Sequence, residues 1–479
     1  MMHPMAPDLL TPDLCVVGAG SGGLSVAAGA VQMGASVVLV ERARMGGDCL
    51  NHGCVPSKAM LAAAHAASAA RGMGRFGVTA RGGVTVDFPA VMDHVRDVIA
   101  GIAPHDSQDR FESLGCTVLR ESARFLDART LEAGGYRIRP RRVVLATGSR
   151  PRLPDLPGLA DVAPLTNETL FDLRAAPSRL LILGGGPIGV EMASAFLGLG
   201  VPVALATRGE ILPKDDPELR AVLRHRLRAE GLELYEHADI SHVDRTDTDG
   251  PVLCFRDGRW LSGSHLLVAV GRMPNVADLG LDAAGIEVAD SGVVVDARLR
   301  TSNRRVFAIG DVAGGPLFTH RAGYDAGIVV RNALFRLPAR ARRQAMPWVT
   351  YTDPELAQVG LTEAEARARH GDSIRVFTEG FDGNDRARAE RRTEGRLKLV
   401  TDSRGRVLGC GIVGPHAGDL IQPWVLAVSQ GLRVGALATM IAPYPTLGEI
   451  SKKAAGAFYT PKLFGEKTRR LVRLLARLG

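Results

Sequence analysis

The feature that most constrains this chain is a strand, glycine-rich turn, helix and strand that occurs twice. The first copy has Asp13 to Gly18 as a short buried strand, a turn, an alanine-rich helical stretch from Leu24 to Met33, and a strand from Ser36 to Glu41. The second begins at Arg179, with Leu180 to Leu183 as strand, Gly184 to Gly189 as turn, Val190 to Leu199 as helix and Val203 to Ala206 as strand. Apolar runs this short, alternating with helical periods, predict parallel strands buried on both faces, and so an α/β architecture. At 479 residues the chain exceeds a single hydrophobic core, and its length fits about three domains.

The turns carry the first chemical signal. Gly18-Ala19-Gly20-Ser21-Gly22-Gly23 lets backbone approach a pyrophosphate, whose charge is favoured at the N-terminus of the helix that follows. Glu41 ends the next strand, where a carboxylate can take the ribose hydroxyls of an adenosine; the alternative is an exposed strand-end charge. In the second copy Gly184, Gly186 and Gly189 are placed to cradle a second dinucleotide. The following strand ends Ala206-Thr207-Arg208, with no carboxylate and with a guanidinium suited to a 2′-phosphate. That pattern favours NADPH over NADH, against the plainer reading of Arg208 as a solvated charge.

Between the copies lies Gly46-Gly47-Asp48-Cys49-Leu50-Asn51-His52-Gly53-Cys54-Val55-Pro56-Ser57-Lys58, with two cysteines five residues apart. On a regular helix such Cα atoms lie roughly 8.5 Å apart, whereas a disulfide requires them within about 7 Å. A bonded pair therefore needs a bent first turn, which Asn51 and Gly53 permit and which Pro56 favours. The alternative is two free core thiols.

This tract resembles the active-site segment of the class I pyridine nucleotide-disulfide oxidoreductases, the flavoproteins that include glutathione reductase, dihydrolipoamide dehydrogenase and mercuric reductase, and the resemblance extends from Leu14 to Phe464. It implies two Rossmann-like domains, for FAD and NAD(P), plus a C-terminal α+β dimerisation domain. Boundaries are expected at the Pro-rich joint Ser149 to Pro157, near Gly271 to Asn275, and after the basic linker Arg340 to Arg343. The division is residues 1–155 with 275–345 for FAD, 156–274 for the nicotinamide nucleotide, and 346–479 for dimerisation. By resemblance, Cys49 is the thiol that meets substrate, Cys54 is the thiol beside the flavin, and Lys58 with Glu191 is an ion pair near the flavin. Ala146, Thr147, Gly148, Gly310 and Asp311 belong to the FAD site, Asp311 holding the ribityl chain, and Gly271 to the NAD(P) site. The implied activity is two-electron transfer from NAD(P)H through FAD and the Cys49/Cys54 disulfide to an acceptor that the sequence does not name.

The chain departs from this pattern near its end. Where disulfide reductases have His-Pro-Thr followed by Glu, supplied by the partner subunit of a homodimer, it reads Tyr444-Pro445-Thr446-Leu447-Gly448-Glu449. A tyrosine, with a reference pKa of about 10, is a poor general base at neutral pH. That counts against ordinary lipoamide or glutathione disulfide turnover, although a dihydrolipoamide dehydrogenase activity stays open. His52, between the two cysteines, is expected to face solvent on the opposite side of the bent turn; the alternative is a replacement base. A mercuric reductase-like reading also stays open, without the second cysteine pair: there is no cysteine after Cys410 and no N-terminal Cys-x-x-Cys module. No resident metal site is expected. A reading from another class is a slow redox-sensing or scaffold flavoprotein.

The net charge of +8 is spread along the chain, which argues against a nucleic-acid surface. Six cysteines, four of them isolated, do not form a secreted disulfide framework, and neither a leader-like N-terminus nor an 18-residue apolar run is present; a cytoplasmic protein that does not span a membrane is expected. The tail from Lys467 to Leu478 mixes basic and apolar residues at helical spacing. It is read as an amphipathic helix packed on its own protein with solvated arginines, in preference to one lying on an anionic membrane.

Overall fold

The computed structural model describes residues 8–245 and 250–477; the first seven residues, on which the expected lack of a leader bears, and Leu478 lie outside them. Two compact units form. The first comprises residues 1–184, 199–201 and 240–342, and the second 185–198, 202–239 and 343–479. Residues 156–274 are thus shared between both.

In the first unit five parallel strands form the central sheet, in the order Val306–Ala308, Arg142–Leu145, Leu14–Val17, Val37–Val40 and Thr117–Leu119. Leu14–Val17 and Val37–Val40 are buried at every position, which is why they read as unbroken apolar runs. The helices Ser21–Gln32 and Thr319–Leu334 pack through Val26, Ala27, Ala30, Ala326, Val329 and Val330 into the core on one face. A smaller sheet, Asp8–Leu10, Tyr136–Ile138, Leu131–Ala133 and Ala123–Phe125, lies beside it. The two expected crossing points are paired with one another, since Ser149–Pro151 runs antiparallel to Arg272–Pro274. Leu180–Leu183 pairs in parallel with His265–Val268.

The second unit holds the helix Pro187–Gly198, the parallel pair Val203–Ala206 and Glu233–Tyr235, and the helix Pro217–Ala229. Its largest element is an antiparallel sheet ordered Trp348–Thr350, Glu355–Gly360, Val407–Gly414, Arg396–Asp402 and Ile374–Gly380. The helices Gln422–Gln430 and Glu449–Ala457 cover it. Fully buried Trp424 fills the space beneath them and donates through Nε1 to Ser451 Oγ at 3.0 Å. Lys398 is also buried here, within 3.1 Å of Asp216, 3.1 Å of Glu218 and 2.7 Å of Glu363. Burial alone would pull its pKa down, but the hydrogen bonds it donates to the three carboxylates leave it raised.

One expectation is overturned. The tail forms a helix, Glu466–Leu475, yet none of its residues is buried. Among the described residues its apolar side is not covered by this chain.

Candidate active site

The glycine turn is built as the sequence requires. Gly18 has φ +103°, and a Cβ there would stand 2.4 Å from Ala146 O, while one at Gly23 would stand 1.8 Å from Gly18 O. Only glycine fits either position. The helix that follows starts at Ser21 behind Gly20, with no side-chain cap and no acid in its first turn, so its N–H groups are open to an anion. Glu41, 9% exposed, accepts from Ala19 N at 2.6 Å and Ala43 N at 2.7 Å. It is therefore held at the turn and is not the exposed charge of the plainer reading.

The cysteine tract docks directly on this turn. Gly46 N donates to Ala19 O, and a Cβ at Gly47 would meet Gly20 Cα at 2.7 Å. A short helix, Gly47–Asn51, carries Cys49, and a second, Cys54–Gly72, carries Cys54 and, one turn later, Lys58. They are separated at His52 and Gly53, where Gly53 has φ −122° and ψ −113°. The expected bend is thus a full break between two helices. Pro56 falls in the first turn of the second helix, where a missing N–H costs nothing. Asn51 Nδ2 secures the break by donating to Met45 O and Gly47 O.

Cys49 is half-buried and Cys54 exposed. Cys54 Sγ lies 3.4 Å from Thr319 Oγ1, at the first residue of the helix Thr319–Leu334. The Cys49 thiol is raised well above its ordinary range, first by its hydrogen bond with Cys54 and then by burial and the charge of Cys54; Thr319 and Ser21 hydroxyls pull it partly back. Protons are therefore held by the pair, and the hydroxyls favour the thiolate. Neither Thr319 nor Ser21 stood out in the sequence.

A second omission is Arg272, only 10% exposed in its side chain. It lies 3.1 Å from Asp48, the neighbour of Cys49. It donates through Nε to Ser149 Oγ at 2.7 Å and through Nη1 to Asn167 Oδ1 at 3.2 Å. Asn167 donates to Asp48 Oδ1 and to the carbonyl of His52, whose side chain is half-buried. Ser149 in turn donates to Asp311 Oδ2 at 2.6 Å. One guanidinium thus connects the cysteine tract, the paired crossing strands and Asp311. Gly310 precedes that carboxylate with φ +66°, and the loop Ala146, Thr147 and Gly148 faces it from the end of its strand, tied down by Thr147 Oγ1 to Asn275 O at 2.7 Å.

The second glycine turn is equally tight. Gly184 has φ +122°, and a Cβ there would meet Ala269 O at 2.4 Å; Gly186 and Gly271 face open space, and Gly189 is buried in the helix. Thr207 is buried with its side chain against Gly185, whereas Arg208 is exposed. In the second unit Glu191, 5% exposed, accepts from Tyr351 N at 3.0 Å. Tyr444 is 70% exposed and donates its hydroxyl to Asp385 Oδ2 at 3.1 Å. That hydrogen bond and the Asp385 charge raise its pKa, with Glu449 adding to the effect. Glu449 starts the helix Glu449–Ala457 and accepts from Thr446 N.

The glycine cradles, the open helix N-terminus and the fixed carboxylates of Glu41 and Asp311 fit FAD, and the second turn fits a nicotinamide dinucleotide. Comparison with known proteins agrees. Residues 12–326 match the family described as pyridine nucleotide-disulphide oxidoreductase, and 346–455 its dimerisation domain. The chain is 36% identical to a mercuric reductase of Streptomyces lividans, over 93% of this chain and 96% of that protein. It is 34% identical to the dihydrolipoyl dehydrogenase of Bacillus subtilis, over 92% and 94%. A solved structure, the Cu(II) complex of the HOCl-induced flavoprotein disulfide reductase RclA from Escherichia coli, superposes with a TM-score of 0.85 at 26% identity, covering 93% of this chain and 99% of that one. The chain belongs to the pyridine nucleotide-disulphide oxidoreductases, and is an FAD-dependent NAD(P)H oxidoreductase of the disulfide reductase type.

Proposed function

We propose that this enzyme passes electrons from NADPH to a thiophilic metal ion held by Cys49 and Cys54, and not to an organic disulfide. The observation that carries this reading is Tyr444. With its hydroxyl committed to Asp385 and its pKa raised, it stays protonated and takes no proton from a thiol. Thiol–disulfide exchange needs a proton removed from the attacking thiol and one returned to each leaving thiolate. Metal reduction returns no proton to a leaving thiolate: the bound metal displaces the thiol protons to water, and the dithiol with two Cu(II) gives the disulfide, two Cu(I) and two protons. Soft thiolates also select soft ions, and the mercuric reductases and the Cu(II) complex among the similar proteins support the same direction.

FAD, when bound, supplies the relay that passes the two electrons of a nicotinamide hydride to the Cys49–Cys54 disulfide. Gly18, Gly20, Gly23 and Glu41 hold its adenosine diphosphate portion, and Ala146 to Gly148 with Gly310 and Asp311 hold the remainder. By the family resemblance, Lys58 supplies the positive charge and Glu191 the carboxylate expected near the flavin. Gly184, Gly186, Gly189, Thr207, Arg208 and Gly271 bind the nucleotide. The three-domain division, a homodimer in which Tyr444 and Glu449 lie at the partner's dithiol, and a cytoplasmic setting complete the reading. The buried free thiols of Cys15, Cys116 and Cys410 suit a reducing compartment.

Steady-state NADPH oxidation with thiol-complexed Cu(II) or Hg(II), against lipoamide and glutathione disulfide, tests it. The metals are expected to give the higher kcat/KM. Tyr444→His is expected to raise disulfide turnover about 100-fold while changing metal turnover little. Preferred turnover of a disulfide by the unaltered enzyme would overturn the reading.

A further inference from the structure

The helix Glu466–Leu475 lies beyond the segment that matches the dimerisation domain, which ends at residue 455. Leu471, Val472, Leu474 and Leu475 follow the i, i+1, i+3, i+4 pattern that gathers side chains on one side of a helix. They are 53%, 59%, 58% and 53% exposed. Leu463 and Phe464, just before the helix, are also exposed, at 57% and 66%. The opposite side carries Arg469, Arg470 and Arg473, with Lys467 nearby and Glu466 as the one acid, paired with Arg470 at 2.7 Å.

We propose that this helix binds the surface of an anionic lipid bilayer and makes the enzyme a peripheral membrane protein. The charge pattern selects this occupant. Arg469 borders the apolar strip beside Val472 and Arg470 borders it beside Leu474, with Arg473 on the far side, so a second copy of the helix laid against the strip, parallel or antiparallel, would set like charges against like. An anionic bilayer instead takes both features at once: the leucines enter the acyl boundary, and the long arginine stems reach the phosphates. The helix is about 15 Å long, suited to lying in the interface, and no helix among the described residues is long and apolar enough to cross a membrane.

The full-length holoenzyme is mixed with vesicles of phosphatidylglycerol and phosphatidylcholine, or of phosphatidylcholine alone, and floated on a density gradient. Binding is expected to be at least about tenfold stronger on the anionic vesicles and to weaken in about 0.5 M salt. Leu471→Asp with Leu475→Asp should abolish flotation while leaving ferricyanide reduction by NADPH unchanged, which shows that the variant folds. Arg469→Glu with Arg473→Glu should lose only the preference for anionic lipid. Failure of the intact enzyme to float with anionic vesicles would overturn the proposal. So would a leucine variant that still floats but, by light scattering without lipid, has split from a larger oligomer, because a second copy would then be the occupant.

Discussion

At residue scale, Arg208 and Asp215 each carry a distinct consequence. Arg208 is exposed at the end of the strand Val203–Ala206, and among the described residues it makes no ion pair, so its guanidinium is free for a 2′-phosphate. A charge-assisted bidentate contact of this kind contributes about 1.5–3 kcal/mol. Arg208→Ala is therefore expected to lower kcat/KM for NADPH roughly 10- to 100-fold and to leave NADH nearly unchanged; an equal loss for both nucleotides would refute the assignment. Asp215 is 6% exposed and accepts from Trp348 Nε1 at 2.8 Å. Burial pushes its carboxyl up from 3.8 to about 6, opposed by Trp348, Arg220 and Lys214 and aided by Asp216. Between pH 4 and 6 the folded chain keeps a proton that the unfolded chain releases, so this group's contribution to stability falls as pH rises through that window. Above it the penalty reaches about 3 kcal/mol. Asp215→Asn keeps an acceptor for Trp348. It is expected to raise the urea midpoint at pH 8 and leave it little changed near pH 4.

Elements far apart in the chain are held together by Arg272. It is in reach of Asp48, Ser149, Asn167 and Asp311, so the short helix of Cys49, the crossing strands and the Asp311 turn depend on one side chain. Arg272→Met removes the cation that pairs with Asp48 and Asp311 among the described residues, a change expected to cost about 3 kcal/mol. It should lower the thermal midpoint and release FAD more readily, measured as free flavin fluorescence during a melt; an unchanged midpoint with tightly held flavin would show the network to be dispensable. The glycine turns and the cysteine tract were legible in the sequence because their chemistry is local: a φ that only glycine adopts, a fixed spacing, an apolar run of strand length. The Arg272 network was not, because its partners come from four separate segments with no shared period. Thr319 beside Cys54 and Asp385 beside Tyr444 were hidden for the same reason. The tail failed differently. Its amphipathic period is plain in the sequence, but a period does not say what covers the apolar side.

At the scale of the whole molecule, the dimerisation domain leaves Ile441 96%, Tyr444 70% and Leu426 57% exposed on a single chain. Large apolar groups in such a domain call for a partner surface. If the two copies share sites, the dithiol of one chain works with residue 444 of the other, and chain mixing can detect it. A chain carrying both Cys49→Ser and Tyr444→His has no dithiol and is inactive alone, while the unaltered chain lacks the base for disulfide turnover. Random reassociation makes half of the dimers mixed, and each mixed dimer has one site that combines intact cysteines with the new histidine. Disulfide reduction is then expected to appear on mixing, at roughly one quarter of the level of the Tyr444→His homodimer. If each site were contained within one chain, no such activity would emerge at any ratio, because no single chain would hold both the thiols and the base.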